Sequence, residues 1–417
     1  MVTSLVVPGA ASAVGRVATG PEVVTVGGFA GINEPTPRLQ QQPAPARTGS
    51  LEEARRIAAE RGQVSESYGN DREKVDSART ALGAAATRAE PPIPILDECL
   101  KRPGAGSNEG HILNRNFWCQ QGKIWAAIYV NGKEEGYFEV LYRAAAVANP
   151  LERKTHIFIH GDDYNTRGTF SAWSTMGVTF QCTVLTSGCS IDNETVVMDV
   201  GDWDDGDWVQ WNMNSDENVA TQQPEKVIRN FVAGSGFGVD DFGRSIDWGP
   251  GTRLGLRCDS AAYFTTPRSC IFTDVTSRLN YIKGQGYDQV VDHIMLAQDH
   301  PEQTDPNRGT PKVIPGKWAD LTKPGLNRVA YKGDVWKTNE AAKNIACATI
   351  PKPNPTDQCD EYPFATTLQG AGKGDGNFSV KYVNGTQNGS AGGVLRWWYD
   401  RDRVLYGALD EFYVWAR

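Results

Sequence analysis

The residues best suited to chemistry lie near the C-terminus, in the stretch Cys359-Asp360-Glu361-Tyr362-Pro363-Phe364-Ala365. Two adjacent carboxylates repel each other, so they lie in solvent or around a cation. On its own the stretch also reads as a turn or a helix cap, with Pro363 early in the helix. Downstream, Asn388 precedes a run of small residues that includes Ala391, Gly392 and Gly393. Asn in such a run is common in turns. Three other stretches invite a functional reading. GDWDDGDWVQW (201–211) packs aspartates among tryptophans, but no Glu follows at the spacing of a Ca²⁺ loop, and it reads as a turn between strands. His156 and His160 share one face of an expected strand without a third zinc ligand at recognisable spacing. GSGFGVDDFG (234–243) is glycine-rich, but no strand-to-helix switch frames it.

These residues are carried by a chain of 417 residues with 44 Gly, 23 Pro and 12 Trp. That length exceeds one typical domain, and the glycine, proline and aromatic content favours β structure with many turns. Residues 1–90 read as a signal remnant and a flexible or helical leader, since SLEEARRIAAERG and DREKVDSARTALGAAATRA hold helix formers with few large apolar side chains. The opening MVTSLVVPGAASAVG has an apolar run and an ASA site but no basic n-region. Residues 91–305 read as a β-sandwich-like domain of short strands, with a hairpin signal around NGKEEG. Residues 306–417 read as a small mixed unit, with a helix at NEAAKNIAC, a strand at SVKYV and a helix through SAGGVLRWWYDRDRVL. The fold class expected is α+β and multidomain.

Eight cysteines fall into local couples: Cys99 with Cys119, Cys182 with Cys189, Cys258 with Cys270, and Cys347 with Cys359. With no CxxC, they read as disulfides of an exported protein rather than zinc ligands. No apolar run is long enough to insert in a membrane. Between residues 308 and 417 there are 15 Lys and Arg against 11 Asp and Glu, a balance of +4 on a chain that carries −8 overall. A basic unit on an acidic chain hints at a polyanionic partner.

The blocks CDEYPFATTLQGA and KYVNGTQNGSAGGVLRWWYDRDRVLYGALDEFYV resemble the NucA/NucB deoxyribonucleases, a family of secreted bacterial nucleases. Asp360, Glu361, Tyr362, Pro363 and Ala365 fit the first signature block, and Asn388 with Ala391, Gly392 and Gly393 fits the second. The resemblance covers about 326–415, a quarter of the chain, and residues 95–300 resemble the β region that precedes this domain in some large secreted members. It implies a ββα-metal type of nuclease domain in which an acidic residue stands where most relatives of that fold use histidine. Asp360 falls at that position, and no His occurs after His300.

On this resemblance Asp360 is the general base and Glu361 a metal ligand or an orienter of the site, with the two roles exchangeable. Asn388 is the metal ligand, near a helix N-terminus whose dipole favours phosphate. Lys381 and Arg396 are candidates for phosphate contact, with plain solvated charges as the alternative, and Gln387 stands where some relatives carry Asp. Oxygen donors of this kind suit Mg²⁺ or Mn²⁺, with Ca²⁺ as the alternative. The function expected is a secreted, metal-dependent, non-specific endonuclease acting on DNA, opposed by an inhibitor protein if it serves as a toxin. The alternative is an extracellular binding or adhesion protein with an inactive nuclease-like domain.

Overall fold

A computed structural model describes residues 22–35, 50–66, 72–183, 187–193, 195–251, 253–307, 309, 311–318, 320 and 323–417. The expected signal remnant and residues 36–49 lie outside the described residues. The chain divides into two compact units, one of Met1–Ala54 with Glu73–Asp274 and one of Arg55–Arg72 with Val275–Arg417.

The first unit opens with strand β1 (Val23–Gly31) and continues through three helices, α1 (Leu51–Arg61, which crosses the division), α2 (Arg72–Arg88) and α3 (Ile93–Leu100). It then runs as β2 (His111–Asn114), β3 (Phe117–Val130), β4 (Lys133–Ala148), β5 (Lys154–Gly168), β6 (Thr175–Thr183), β7 (Cys189–Asp192) and β8 (Thr195–Asp199). It closes with β9 (Val209–Ser215), β10 (Ile228–Val239), β11 (Ser245–Trp248), β12 (Arg253–Ser260) and β13 (Arg268–Phe272). One antiparallel sheet has the order β1-β3-β4-β5-β9-β7, with β2 beside β3. The other has the order β13-β12-β10-β6-β8, with β11 beside β10.

Asn131 and Gly132, both at positive φ, make the tight turn between β3 and β4, as the NG pair leads one to expect. Tilted ring contacts of Phe138 with Trp248, and of Phe180 with Trp211, join the two sheets across one core. The Cys182–Cys189 disulfide links β6 of one sheet to β7 of the other. Cys99–Cys119 ties α3 to β3, and Cys258–Cys270 joins cross-strand partners of β12 and β13. All four nearest-neighbour pairings hold.

The leader reading is corrected over 23–31. This segment pairs with β3 from Val23↔Val130 to Gly31↔Gly122 and forms the sheet edge. Its glycines hid it, yet they are what lets it fit. A Cβ on Gly31 would stand 2.3 Å from the backbone of Ser107. The two helices expected further along are present, and α2 buries only small or single apolar residues, Ala78, Leu82 and Ala85.

The second boundary also moves. Residues 275–305 belong with the C-terminal unit, which contains β14 (Arg278–Tyr281), α4 (Asp288–Asp299), α5 (Asp334–Cys347), β15 (Asp357–Tyr362), β16 (Ser379–Asn384), α6 (Gly385–Arg401) and β17 (Tyr413–Ala416). β15 and β16 form an antiparallel pair, β14 and β17 a parallel one. Counted over the whole second unit, 21 basic residues meet 19 acidic ones, so the basic excess of the last segment nearly vanishes.

The strand order β15-β16 followed by α6 places a hairpin between two apolar layers. On one face Tyr362 and Val383 join Val290, Val291 and Ile294 of α4 and Ala391, Leu395 and Trp398 of α6. On the other, Val380 joins Phe378, Ala346 and Cys347, with Cys359 packed alongside. The period of two along each strand sorts the residues between these faces.

Helix α6 begins at Asn384, whose side chain accepts hydrogen bonds from the backbone N–H groups of Thr386 and Gln387. This N-cap satisfies two of the four donors left open at a helix start. Asn384→Ala should therefore lower the stability of this unit by about 1 kcal/mol, read as an earlier denaturant midpoint with an unchanged slope. An unmoved midpoint would show that the cap contributes nothing.

Candidate active site

Asp360 and Glu361 are neighbours on β15, and a strand turns successive side chains to opposite faces. Asp360, 8% exposed, looks toward α4, where its Oδ2 lies 2.7 Å from Nδ1 of His293. The other ring nitrogen of His293, Nε2, lies 2.7 Å from Oγ of Ser379 on β16. His293 and Ser379 have no exposed surface. A partly exposed carboxylate oxygen thus sits at the end of a chain of two short hydrogen bonds drawn from three elements.

Glu361 looks the other way, toward α5. Its Oε1 accepts from the backbone N–H of Ala365 at 2.9 Å, closing the turn that leaves β15, and its Oε2 lies 3.6 Å from Nζ of Lys343. Lys343 makes its shorter contact, 2.7 Å, with Glu340. Burial pushes the Glu361 carboxyl up to about 8, Lys343 opposing and the charges of Asp360 and Glu340 adding to the rise. Lys343 is itself held above its ordinary value, because the charges of Glu361 and Glu340 outweigh its burial.

The expectation that Asp360, Glu361 and Asn388 converge on one ion is therefore corrected. The physical reason is the strand period, which no adjacent pair of residues on a regular strand can escape. Glu361 stays beside Cys359, whose disulfide to Cys347 fastens β15 to α5 on that same face.

Asn388 does lie on the Asp360 side. It sits in the first turn of α6, and its Nδ2 donates to Oε1 of Gln358, two residues before Asp360, at 3.3 Å. Exchanging O and N in both amides preserves this bond. Either arrangement leaves one amide oxygen, of Asn388 or of Gln358, without a hydrogen-bond partner among the described residues. Gln387 is engaged elsewhere, its Oε1 accepting from the backbone N–H of Gln289.

Lys381 stands directly across from Asp360 in the β15–β16 register and is exposed. Arg396 is exposed two turns beyond Asn388. Neither makes an ion pair among the described residues. Between them the helix surface is bare, since a Cβ added at Gly389, Gly392 or Gly393 would meet nothing within 4 Å.

Whether a hard cation fits can be judged from the donor set. Among the described residues no group of three His, Cys, Asp or Glu is arranged to hold a metal. The Asp360 face offers one carboxylate oxygen and one amide oxygen, since both nitrogens of His293 are spoken for. That set suits Mg²⁺, which keeps much of its water and binds through one or two carboxylates together with substrate phosphates. It does not suit zinc.

His293 was not among the expected site residues, because it lies upstream of the segment 306–417 in which the nuclease unit was expected. A signal was present. Val290, His293, Ile294 and Ala297 follow the i, i+3, i+4, i+7 spacing of a core-facing stripe, so the imidazole had to be buried and bonded. His156 and His160, the histidines that were weighed, pair with Asn212 and Asp162. GDWDDGDWVQW forms a short 3₁₀ turn leading into β9, and GSGFGVDDFG is the end of β10 and the turn after it.

Residues 323–415 match the family model Deoxyribonuclease NucA/NucB. The match takes in Asp360, Glu361, Lys381, Asn388 and Arg396, and starts 30 residues after His293. No curated protein and no solved structure matches the chain.

The raised value of Glu361 has a consequence for stability. A carboxyl whose value rises from 4.5 to about 8 on folding holds its proton more tightly in the folded state. Its contribution is complete below pH 4.5 and is lost as pH climbs toward 8, at up to about 1.4 kcal/mol per pH unit. Glu361→Gln, which stays neutral, should flatten the fall in melting temperature between pH 5 and 8. The same slope in the variant would place the titration elsewhere.

Proposed function

We propose that the protein is a secreted, metal-dependent, non-specific endonuclease that hydrolyses DNA phosphodiester bonds, with the chemistry in the second unit. The match of residues 323–415 to a deoxyribonuclease family supports the substrate. The observation that carries the mechanism is Asp360, fixed through one oxygen by His293 while the other has no hydrogen-bond partner among the described residues.

Asp360 is the general base. Its Oδ1 takes the proton of the attacking water as the new O–P bond forms, and the bond to the leaving oxygen breaks, that oxygen being protonated from solvent. The cation, Mg²⁺ or Mn²⁺ with Ca²⁺ as the alternative, would be held by Asn388 with the neighbouring Gln358 amide. When bound it neutralises charge on the phosphate and acidifies water. Lys381, across the hairpin from Asp360, and Arg396, further along α6, hold flanking phosphates and carry no base preference. The bare start of α6 gives the DNA backbone room to approach Asn388. Glu361 has no part in the reaction and serves the turn at Ala365.

Four disulfides support an exported protein. No described helix is long and apolar enough to cross a membrane.

Plasmid incubated with the disulfide-intact protein and Mg²⁺ or Mn²⁺ should be degraded without sequence preference, and EDTA should stop it. Asp360→Ala should lower kcat by about 10²–10⁴-fold. Asn388→Ala should raise the cation concentration required, while Glu361→Gln should leave cleavage near the wild-type rate. Intact plasmid under every cation tried would leave the binding-protein reading in its place.

A further inference from the structure

We propose that His293 is a positioning residue of the nuclease site, holding Asp360 in the orientation in which its free oxygen meets the water. The inference rests on the reading of Asp360 as the base. His293 itself touches no substrate, because its ring has no exposed surface and both nitrogens are engaged within the protein.

The geometry fixes the direction of the first bond. The Ser379 hydroxyl has no acceptor other than the ring among the described residues, so its proton goes to Nε2 and leaves the hydrogen of a neutral imidazole on Nδ1. An imidazolium would also carry hydrogen on Nδ1. In both forms the ring donates to Oδ2 of Asp360. A carboxylate that accepts from a buried donor at one oxygen loses its freedom about χ2, so the second oxygen has one place to be.

The ring bridges the hairpin. In the β15–β16 register Ser379 pairs with Tyr362 and Lys381 with Asp360, so Ser379 and Asp360 lie diagonally on one face with His293 against both. A shift of β15 against β16 would break one of its two bonds. His293 therefore ties the orientation of the base to the register of the strands that present it.

The same bond sets the extent of the catalytic unit. His293 lies on α4, upstream of the matched residues 323–415, so that segment by itself lacks the partner of its own base. The apolar neighbours of His293 on the helix, Val290 and Ile294, share a core with Tyr362 and Leu395. α4 is thus a structural part of the site.

The test uses the full chain with its disulfides intact. His293→Leu fills the site but removes the donor, and should lower kcat about 10–100-fold, the usual range for a residue that orients another, with KM for DNA unchanged. His293→Asn can place an amide N–H near the Nδ1 position and should recover most of the lost kcat. Circular dichroism establishes that each variant is folded, and the Asn variant keeps the question open to experiment if the Leu variant does not fold. Wild-type kcat in His293→Leu, a change confined to KM, or a folded His293→Asn still slowed about 10–100-fold relative to wild type would each overturn the proposal. Wild-type protein inactive with every divalent cation would instead remove the nuclease reading, and this inference with it.

Discussion

Two carboxylates adjacent in sequence cannot share one face of a regular strand, and the second unit is organised around that constraint. The strand β15 sends Asp360 toward the helices α4 and α6 and Glu361 toward α5. Each side then treats its acid differently. Asp360 receives a histidine at one oxygen and keeps the other without a hydrogen-bond partner among the described residues, whereas Glu361, about as exposed, closes the turn at Ala365 and lies near a lysine that sits closer to Glu340. Mutual repulsion is reduced because the side chains diverge, although the charge of Asp360 still contributes to the raised value of Glu361.

Around this strand the two faces have separate supports. The disulfide Cys347–Cys359 and the turn at Ala365 secure the Glu361 face. The Asp360 face is secured by packing, with α4 and α6 burying Val291, Ile294, Leu395 and Trp398 beside Tyr362. A covalent link on one side and an apolar layer on the other leave the hairpin little freedom. That rigidity suits a site in which a weak base must be aimed, since orientation can replace intrinsic basicity. The helix α6 adds the opposite quality at its start, a glycine-rich surface with open space where a bulky polyanion can come close.

The first unit is built on other terms. Long antiparallel strands give it two sheets, aromatic contacts between Phe138 and Trp248 and between Phe180 and Trp211 join them, and Cys182–Cys189 links them covalently. None of the proposed chemistry draws on it. The stretches in it that invited a functional reading are accounted for by local structure, His156 by its bonds to Asn149 and Asn212, and GDWDDGDWVQW by a turn that buries Trp203.

The sequence by itself determined the local features. The Asn131–Gly132 turn, the four cysteine pairs, the helix at NEAAKNIAC, the strand at SVKYV and the deoxyribonuclease signature around Asp360 and Asn388 all follow from short-range chemistry written in neighbouring residues. Tertiary structure alone decided what depends on partners distant in sequence. Residues 23–31 became a strand because β3 offered an edge, and 275–305 joined the C-terminal unit because α4 found its apolar face there. The His293–Asp360 bond spans 67 residues, and what Asp360 and Glu361 each meet on their opposite faces was set by the helices on the two sides of the hairpin. Spacing along a chain states which groups are available, but only packing fixes which face each one meets.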